Sequence, residues 1–377
     1  MRKLSVISMI VAAAISVSCL DSCCKDKDKG VAISMGISEQ GTKAVVSSKP
    51  NLISQAVSTG TGFGVYGYKT VSSSANRLFD NVEVHPASNS EDTDWTYAPI
   101  RYWDKNTQAS YQFIAYWPHL GSNQVNTAYV SEQDQELTIH NIPFWQDASL
   151  AESADFMTAT RKGNYTAGDF NDLSEPPVAK VRFTFSHILA KLVIRAYYVG
   201  TQQNLINITG LSLTTGVVSG NKILGTSGKA SYTQSFGENT TAAFADNTPN
   251  STTTHILYHP ENDGITLPTS TFCATDESEH DYQIICEWLM VPCSGWQDLG
   301  LRIDYSIAGS STIPFNVNSL TLSTTGSNNQ VQTGVTASGK SYVVTLKFDS
   351  SGGGVDLQSV LVKDWEIQEI NTGVYNW

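Results

Sequence analysis

Cysteines near the N-terminus are the residues of this chain best suited to a covalent modification, because a thiolate is a strong nucleophile. Cys23 has Leu20 three residues before it and Ser22 directly before it. This arrangement resembles a lipobox, in which the cysteine thiol takes a diacylglyceryl chain and cleavage leaves that cysteine as the first mature residue. We predict lipidation at Cys23, with Cys19, which has Ser16 three residues before it, as the alternative.

The residues ahead of these cysteines have the pattern of a secretory signal. A basic start, Arg2-Lys3, is followed by an apolar run, Leu4–Val17. The run is shorter than the roughly 20 residues of a membrane-spanning helix, and its flanks are typical of a signal peptide. We therefore assign residues 1–22 to a lipoprotein signal peptide.

Lysine and aspartate alternate after the cysteines, and we predict that residues 23–30 form a solvated tether. Secretion without a lipid is the alternative. The adjacent Cys23 and Cys24 argue against it, because unpaired thiols are a liability in an oxidising compartment.

Length and composition limit the class of protein. At 377 residues the chain is long enough for about two domains with separate cores. The net charge is -12 and only 15% of the residues are charged, so no basic surface for nucleic acid is expected. The 16 Tyr and 8 Trp lie among short β-branched runs, which favours many short strands. We predict an all-β protein.

Three later cysteines, Cys273, Cys286 and Cys293, are an odd number. Two arrangements are compatible with this number: one disulfide with one free thiol, or three reduced and buried thiols. A zinc site is disfavoured, because there is no C-x-x-C pair and His280 has no partner at ligand spacing. No metal and no cofactor is predicted.

One nucleotide-binding pattern is complete, because Gly334–Ser341 matches the P-loop. A phosphate cradle needs a buried strand before it and a helix N-terminus after it, so that backbone N–H groups converge on the anion. Here a polar loop, 324–330, precedes the pattern and a strand-like run, 342–346, follows it. We interpret Gly339-Lys340 as a turn that enters a strand.

Groups that could support hydrolysis are scattered. The acidic runs Glu91–Asp94 and Asp276–Glu279 lie in loop-like sequence, whereas glycosidases hold two carboxylates across a cleft. Asp169–Asp172 lacks the glycine and the distal glutamate of a calcium loop. His187 is a lone histidine in an apolar run and is interpreted as structural. The chain is therefore predicted not to be an enzyme.

The elements that must position any site are strands. At the start, Val31, Ile33, Met35 and Ile37 alternate with small or polar residues, which predicts a half-buried strand. Further alternating or apolar runs predict strands at 62–68, 97–103, 111–117, 137–142, 181–185, 189–198, 205–213, 255–258, 282–291, 299–307, 342–348 and 360–367. Paired prolines, Pro176-Pro177, favour a stiff connector. We therefore predict two all-β domains, at 31–178 and 179–377.

Short pieces spread over nearly the whole chain carry a resemblance to a known family. They are the lipobox, Gly41–Ala44 after the first strand, Gly62–Tyr68, Trp103 with Tyr111–Tyr116, Phe183–Leu192, Leu289–Pro292, Gly339–Tyr342 and Val362–Trp365. In this order and spacing the chain resembles the fimbrillin family of the Bacteroidales, in particular the Mfa-like fimbrillins.

The resemblance implies two transthyretin-like β-sandwich domains and a fimbrial subunit of the shaft or the tip. Such a subunit is exported as an outer-membrane lipoprotein, assembles into fimbriae at the cell surface and supports adhesion. Its partners would be other fimbrillin subunits and a host or bacterial surface receptor. The charged run after Cys24 also resembles the signal that sends lipoproteins of the Bacteroidetes to the outer face of the outer membrane.

In that family a trypsin-like protease cuts after a basic residue that follows the first strand. A strand of another subunit then fills the vacated groove, which is β-strand addition. The resemblance places the cut after Lys43 and makes the first strand the plug of the precursor, although the family often has arginine at the position of Lys43. The plug residues are Val31, Ile33, Met35 and Ile37, and the candidates for the donor strand are Val360, Val362, Trp365, Ile367 and Ile370.

A surface glycan-binding lipoprotein is the alternative function, in which exposed Trp and Tyr side chains would form a platform for sugars. Most of these aromatic residues lie inside strand patterns, however, which favours core packing.

Overall fold

The structure, a computed structural model, describes residues 32–37, 56, 60–87, 95–104, 106, 108–121, 126–131, 135–147, 154–164, 169, 180–199, 206–215, 229–236, 242–246, 253–258, 264–267, 269–270, 282–292, 299–320, 322–325, 331–333, 336–349 and 355–364. These residues form 25 strands, which confirms the predicted all-β sandwich class. The predicted signal peptide and tether lie outside them. Within the described chain, no helix has the length and apolar character needed to cross a membrane.

The strands follow one another closely. The first nine are β1 (Ser34–Ile37), β2 (Phe63–Val71), β3 (Ser74–Pro86), β4 (Trp95–Thr96), β5 (Ser110–Trp117), β6 (Thr127–Ser131), β7 (Glu136–Pro143), β8 (Trp145–Asp147) and β9 (Met157–Gly163). The next eight are β10 (Lys180–Phe183), β11 (Ser186–His187), β12 (Ala190–Val199), β13 (Ile206–Thr215), β14 (Lys229–Ser235), β15 (Ala242–Asp246), β16 (Thr253–Tyr258) and β17 (Ile265–Thr266). The last eight are β18 (Thr269–Ser270), β19 (Gln283–Met290), β20 (Leu299–Ile307), β21 (Ile313–Leu320), β22 (Ser323–Thr325), β23 (Val331–Thr333), β24 (Lys340–Asp349) and β25 (Val355–Asp364).

A sheet of six strands, in the order β11-β9-β5-β2-β3-β4, separates two hydrophobic clusters. On β2, Phe63 and Val65 belong to one cluster, and Tyr66 and Tyr68 belong to the other. A strand that is buried on both faces has a nearly continuous apolar sequence. This explains why 62–68 is apolar or glycine throughout.

The first cluster, here called the N-terminal core, closes the face of this sheet on which β1 lies. Its members are Ile33, Met35, Ile37, Ala56, Phe63, Val65, Phe79, Val84, Tyr97, Trp103, Ala109, Tyr111, Phe113, Ala115, Trp117, Met157, Ala159, Val181, Phe183 and Phe185.

The opposite face of the six-stranded sheet is covered by the sheet β15-β14-β7-β6. The Tyr66 hydroxyl donates to the Ala128 carbonyl of β6 at 2.9 Å, and the Tyr68 ring meets the Phe236 ring edge-on, with centroids 5.4 Å apart. The remaining sheets are β25-β24-β12-β19-β8, with β18 beside β12, then β16-β13-β20-β21, with β17 beside β13, and the pair β22-β23.

Strands from the two sides of the predicted boundary at 178/179 pair with each other. β1 pairs with β10, β7 pairs with β14, and β8 pairs with β19. The division into domains 31–178 and 179–377, and the transthyretin-like assignment of each, stay predictions.

The predicted strand at 97–103 is wrong. The ladder ends with β4 at Thr96, and the following segment makes one isolated bridge, from Tyr102 to Ala32. The physical reason is Pro99, which has no N–H to donate to a ladder.

Candidate functional site

The first strand is buried in the N-terminal core. Ile33, Met35 and Ile37 are between 0% and 6% exposed, whereas Ala32 is exposed. Side chains of a strand alternate between its two faces, so this pattern places the predicted plug residues on one buried face. Val31, the fourth predicted plug residue, lies outside the described residues.

Backbone groups hold this strand along both edges. On one edge β1 runs parallel to β10, from Ser34 opposite Lys180 to Ile37 opposite Phe183. On the other edge, the Ile33 amide donates to the Arg101 carbonyl at 2.8 Å. The Tyr97 hydroxyl donates to the Ile33 carbonyl at 2.6 Å. The strand therefore fills a slot between two backbone segments.

Aromatic rings form much of the core that this strand closes. Phe63 packs edge-on against Phe183 and Phe185, with ring centroids 5.6 and 5.4 Å apart. Phe79 makes similar contacts with Phe113 and with Tyr97, at 5.8 and 5.3 Å. Edge-to-face pairs of this kind stabilise a core beyond the area they bury. Loss of the strand would expose part of this ring cluster to water.

A buried contact between a histidine and a carboxyl group lies where the chain passes from the N-terminal core to the second cluster. His187 Nδ1 lies 2.6 Å from Asp155 Oδ2, and both side chains are fully buried. His187 stands opposite Met157 in the β11–β9 pair, and its contact with Asp155 joins β11 to the residues that precede β9. The predicted structural role of His187 agrees with this position.

A second buried pair lies nearby on the sheet of β12 and β19. Lys191 Nζ is 3.6 Å from Glu287 Oε1. Burial lowers the pKa of Lys191, and the negative charge of Glu287 opposes that shift.

Some aromatic and aliphatic side chains remain on the surface. Ile100 and Tyr102 are exposed on the segment that borders β1. Tyr129, on the edge strand β6, is also exposed and stacks on His140 with ring centroids 5.1 Å apart. The predicted burial of most Tyr and Trp residues is nevertheless correct in the described chain, as Trp103 and Tyr111 illustrate.

The other predicted site residues fall in different parts of the molecule. Val360 and Val362 belong to β25, where their backbones stand opposite Val344 and Tyr342 of β24. The remaining candidates lie outside the described residues, and their assignments stay predictions: Cys23, Cys19, Lys43, Trp365, Ile367 and Ile370.

The P-loop pattern leads into a strand, as predicted. Gly339 adopts a φ of 68°, the Gly339 amide donates to the Leu189 carbonyl at 2.9 Å, and β24 begins at Lys340. A strand cannot supply the convergent amides of a helix N-terminus. This segment therefore has a structural role in the described fold.

Among the described residues, no group of three or more His, Cys, Asp or Glu side chains could hold a metal ion. Cys286 is buried in β19, while Cys273 and Cys293 lie outside the described residues. Their pairing stays open.

Sequence reasoning missed the residues that form the slot around β1. The Tyr97 hydroxyl and the Arg101 carbonyl bind the backbone of Ile33, and no sequence pattern predicts these contacts. For β10 a signal exists, because Val181 and Phe183 alternate with charged residues in the same way as the plug residues alternate with small ones. The alternation predicts a strand but cannot say which strand it pairs with.

The fold and this site define an all-β sandwich protein whose first described strand completes the N-terminal core. A family model described as fimbrillin-like matches residues 42–365. The chain therefore belongs to the fimbrillin-like family, which consists of fimbrial structural proteins and not of enzymes. The match begins beyond β1, so the first strand lies outside it.

Solved structures similar to this chain share little sequence with it. A candidate cell adhesion protein from Bacteroides uniformis is 18% identical, with 90% of this chain and 99% of that chain covered and a TM-score of 0.49. A fimbrial protein from Bacteroides vulgatus is 15% identical, with 89% and 99% covered and a TM-score of 0.48. The tip fimbrial protein Mfa3 from Porphyromonas gingivalis is 10% identical, with 81% and 94% covered and a TM-score of 0.34. A search among curated proteins found no match.

Proposed function

We propose that this chain is the precursor of a fimbrial subunit of the shaft or the tip, whose first strand is a removable plug. Export would attach a lipid to Cys23 and place the precursor on the outer membrane. Cleavage after Lys43 would release the plug together with its lipid. A strand from another subunit would then fill the slot, and the assembled fibre would support adhesion to a host or bacterial surface.

The single observation that supports this function most directly is the placement of β1. Ile33 and the strand residues Met35 and Ile37 have apolar side chains that are buried at 6% exposure or less. Each such side chain contributes roughly 1.5–3 kcal/mol when it is buried, so an empty slot would be costly. The slot therefore favours a replacement strand with the same alternation.

A single cut in the connection that follows β1 would separate this strand from the rest of the chain. β1 is the first described strand, and Lys43 lies in the sequence that connects it to β2. One cut in this connection would leave β1 attached to the chain only through hydrogen bonds and packing. Unpaired edge groups of β10 would then be open to a new ladder.

Limited digestion of the purified precursor with trypsin tests the proposal. Trypsin can also cut the tether at Lys25, Lys27 and Lys29, which leaves β1 attached to the fold. We expect the cut after Lys43 to give a new N-terminus at Ala44 and a shift from monomer to polymer in size-exclusion chromatography. Lys43→Arg should be cut and should polymerise as the parent does, whereas Lys43→Gln should keep β1 attached and remain a monomer.

Two outcomes would contradict strand exchange. One is a cut protein that stays monomeric at high concentration. The other is polymerisation of Lys43→Gln at the same rate as the parent. A permanently monomeric, cut protein that binds to a polysaccharide column would instead support the glycan-binding alternative, for which the exposed Tyr129 ring is a candidate contact.

A further inference from the structure

The edge strand β6 presents backbone groups to which a further strand could pair. Among the described strands, β6 is the last of the sheet β15-β14-β7-β6 and pairs with β7 alone. The side chains of Thr127 and Tyr129 are exposed, so this edge lies at the surface. Unpaired strand edges are templates for pairing with another chain. β6 is therefore a place at which two copies of this chain could join.

The direction of the carbonyl groups shows which of them lie on the free edge of β6. The Ser131 carbonyl accepts from the Gln135 amide at 3.0 Å, in the turn that joins β6 to β7. It therefore points toward β7. Because the backbone groups of successive residues point to opposite edges of a strand, the carbonyls of Val130 and Ala128 point away from β7, to the free edge.

Side chains of the neighbouring sheet occupy both of these carbonyls. The Tyr66 hydroxyl of β2 donates to the Ala128 carbonyl at 2.9 Å, and Arg77 Nη2 of β3 donates to the Val130 carbonyl at 3.2 Å. A strand that added to β6 would need the same two acceptors for its own amides. It would have to displace the hydroxyl and the guanidinium group, and a hydrogen bond from a charged donor is the stronger kind.

The guanidinium group of Arg77 is held in this position by further contacts. Its Nε donates to the Tyr68 hydroxyl at 3.0 Å, and its Nη1 donates to Asp80 Oδ1 at 2.8 Å. Its Cζ lies 5.6 Å from the centre of the Tyr68 ring, a distance typical of a cation–π contact. Tyr68 stands opposite Arg77 in the β2–β3 ladder. The fold therefore fixes the positive charge at the edge of β6.

An arginine also binds the backbone of β3, which β4 covers only in part. In the described chain β4 pairs with β3 at His85 and Pro86 alone, and Arg101 Nε donates to the Leu78 carbonyl of β3 at 3.1 Å. The edge of β10 is different, because the backbone of β1 pairs with it. Side chains thus bind the backbone of β6 and β3, whereas a strand pairs with β10.

We propose that Arg77 and Tyr66 close the free edge of β6 against the same edge of a second copy of this chain, so that strand addition is directed to the slot beside β10. Two copies joined through β6 would form a symmetric dimer in which each presents the same surface. Each copy would give up its bonds to Ala128 and Val130, and the two guanidinium charges would repel each other. The closure of β6 stands on these contacts, whereas its role in directing assembly rests on the proposed function.

The test compares variants of the uncut precursor. Arg77→Met keeps a long side chain but removes the charge and the donors, and Tyr66→Phe removes only a hydroxyl group. Arg302→Met is the matched control, because Arg302 also pairs with a nearby aspartate, Asp304, but lies on β20, which has a partner strand along each edge. Sedimentation velocity over a range of concentrations measures association. Hydrogen exchange of the peptide 126–131 measures the protection of β6, and thermal melts check that each variant is folded.

We expect Arg77→Met to dimerise at least about tenfold more tightly than the parent, with slower exchange of the 126–131 amides in the dimer. Tyr66→Phe should act in the same direction with a smaller effect, and it provides the test if Arg77→Met does not fold. Arg302→Met should remain a monomer. Adding Tyr129→Lys to Arg77→Met should restore the monomer, because a lysine on an edge strand opposes pairing.

Other results would overturn the inference. If folded Arg77→Met and Tyr66→Phe both sediment as the parent does, these side chains do not close β6. If Arg77→Met associates without protection of 126–131, or if Tyr129→Lys leaves that association unchanged, another surface is responsible and the inference is wrong.

The parent cut after Lys43 separates this inference from the proposed function. Added protection of 126–131 in its polymer would show that β6 takes part in assembly, which overturns the directing role while strand exchange stands. A cut parent that stays monomeric would contradict the proposed function and the directing role together, and the uncut variants would still decide whether Arg77 and Tyr66 close β6.

Discussion

Placing charges on the buried face of β1 should remove the plug from its slot. In the double variant Ile33→Asp and Ile37→Asp, each site loses an apolar burial worth roughly 1.5–3 kcal/mol. Each also gains a carboxylate without a partner, which costs several kcal/mol more. The total approaches the 5–15 kcal/mol that typically stabilises a whole domain, by order of magnitude. We expect the melting temperature of the precursor to fall by about 10 °C or more.

The control is Ala32→Asp, a charge on the exposed residue next to the same strand. It should shift the melting temperature by no more than about 2 °C, because exposed substitutions usually change stability by about 0.5 kcal/mol or less. Hydrogen exchange adds a local readout, since the amides of β10 should lose protection in the double variant. A double variant that melts with the parent and keeps β10 protected would refute the placement of β1 in the core.

Other parts of the fold give three further predictions. Gly62→Ala should destabilise the protein by about 1–3 kcal/mol in urea, because its Cβ would press into a neighbouring backbone carbonyl. In Gly210→Ala the nearest atom is 3.4 Å away, so the free energy of unfolding should change less. Asp155→Ala should cost about 1–3 kcal/mol, since it removes the carboxylate that contacts the buried His187 ring, and an unchanged urea midpoint would contradict this. Burial raises the pKa of Tyr116 to about 12, so the folded state holds the hydroxyl proton more tightly than the unfolded state does. The free energy of unfolding should therefore fall as the pH rises from about 10 to about 12. Tyr116→Phe should reduce this fall.

Much of the secondary structure could be predicted from short-range pattern. Strands in which apolar residues make up most of the length, such as β5 and β12, are predictable from the sequence. β3 was missed for a physical reason. Its fully buried residues, Phe79 and Val84, lie five apart, an odd spacing that no regular strand allows on one face. A register shift near Asn81, which has a positive φ, produces this spacing.

The candidate site was predictable only in part. Alternation at Ile33, Met35 and Ile37 is local information, and it correctly indicated a buried strand face. The parallel partner β10 follows most of the N-terminal core in sequence, so the pairing depends on tertiary packing that no local pattern contains. The close approach of Lys180 to Gly36 has the same origin, because the two residues are brought together by the β1–β10 register.

The position of β1 in the chain is what makes a strand exchange physically reasonable. β10 and the Tyr97–Trp103 segment border the same slot, but each has covalent connections on both sides, so two cuts would be needed to release either one. β1 precedes every other described strand, and a single cut in the connection to β2 would separate it with everything before it. A lipid on Cys23 would leave with the strand. The same geometry that completes the core of the monomer therefore gives the cut protein an open slot, and the loss of buried apolar surface would favour binding of a second strand.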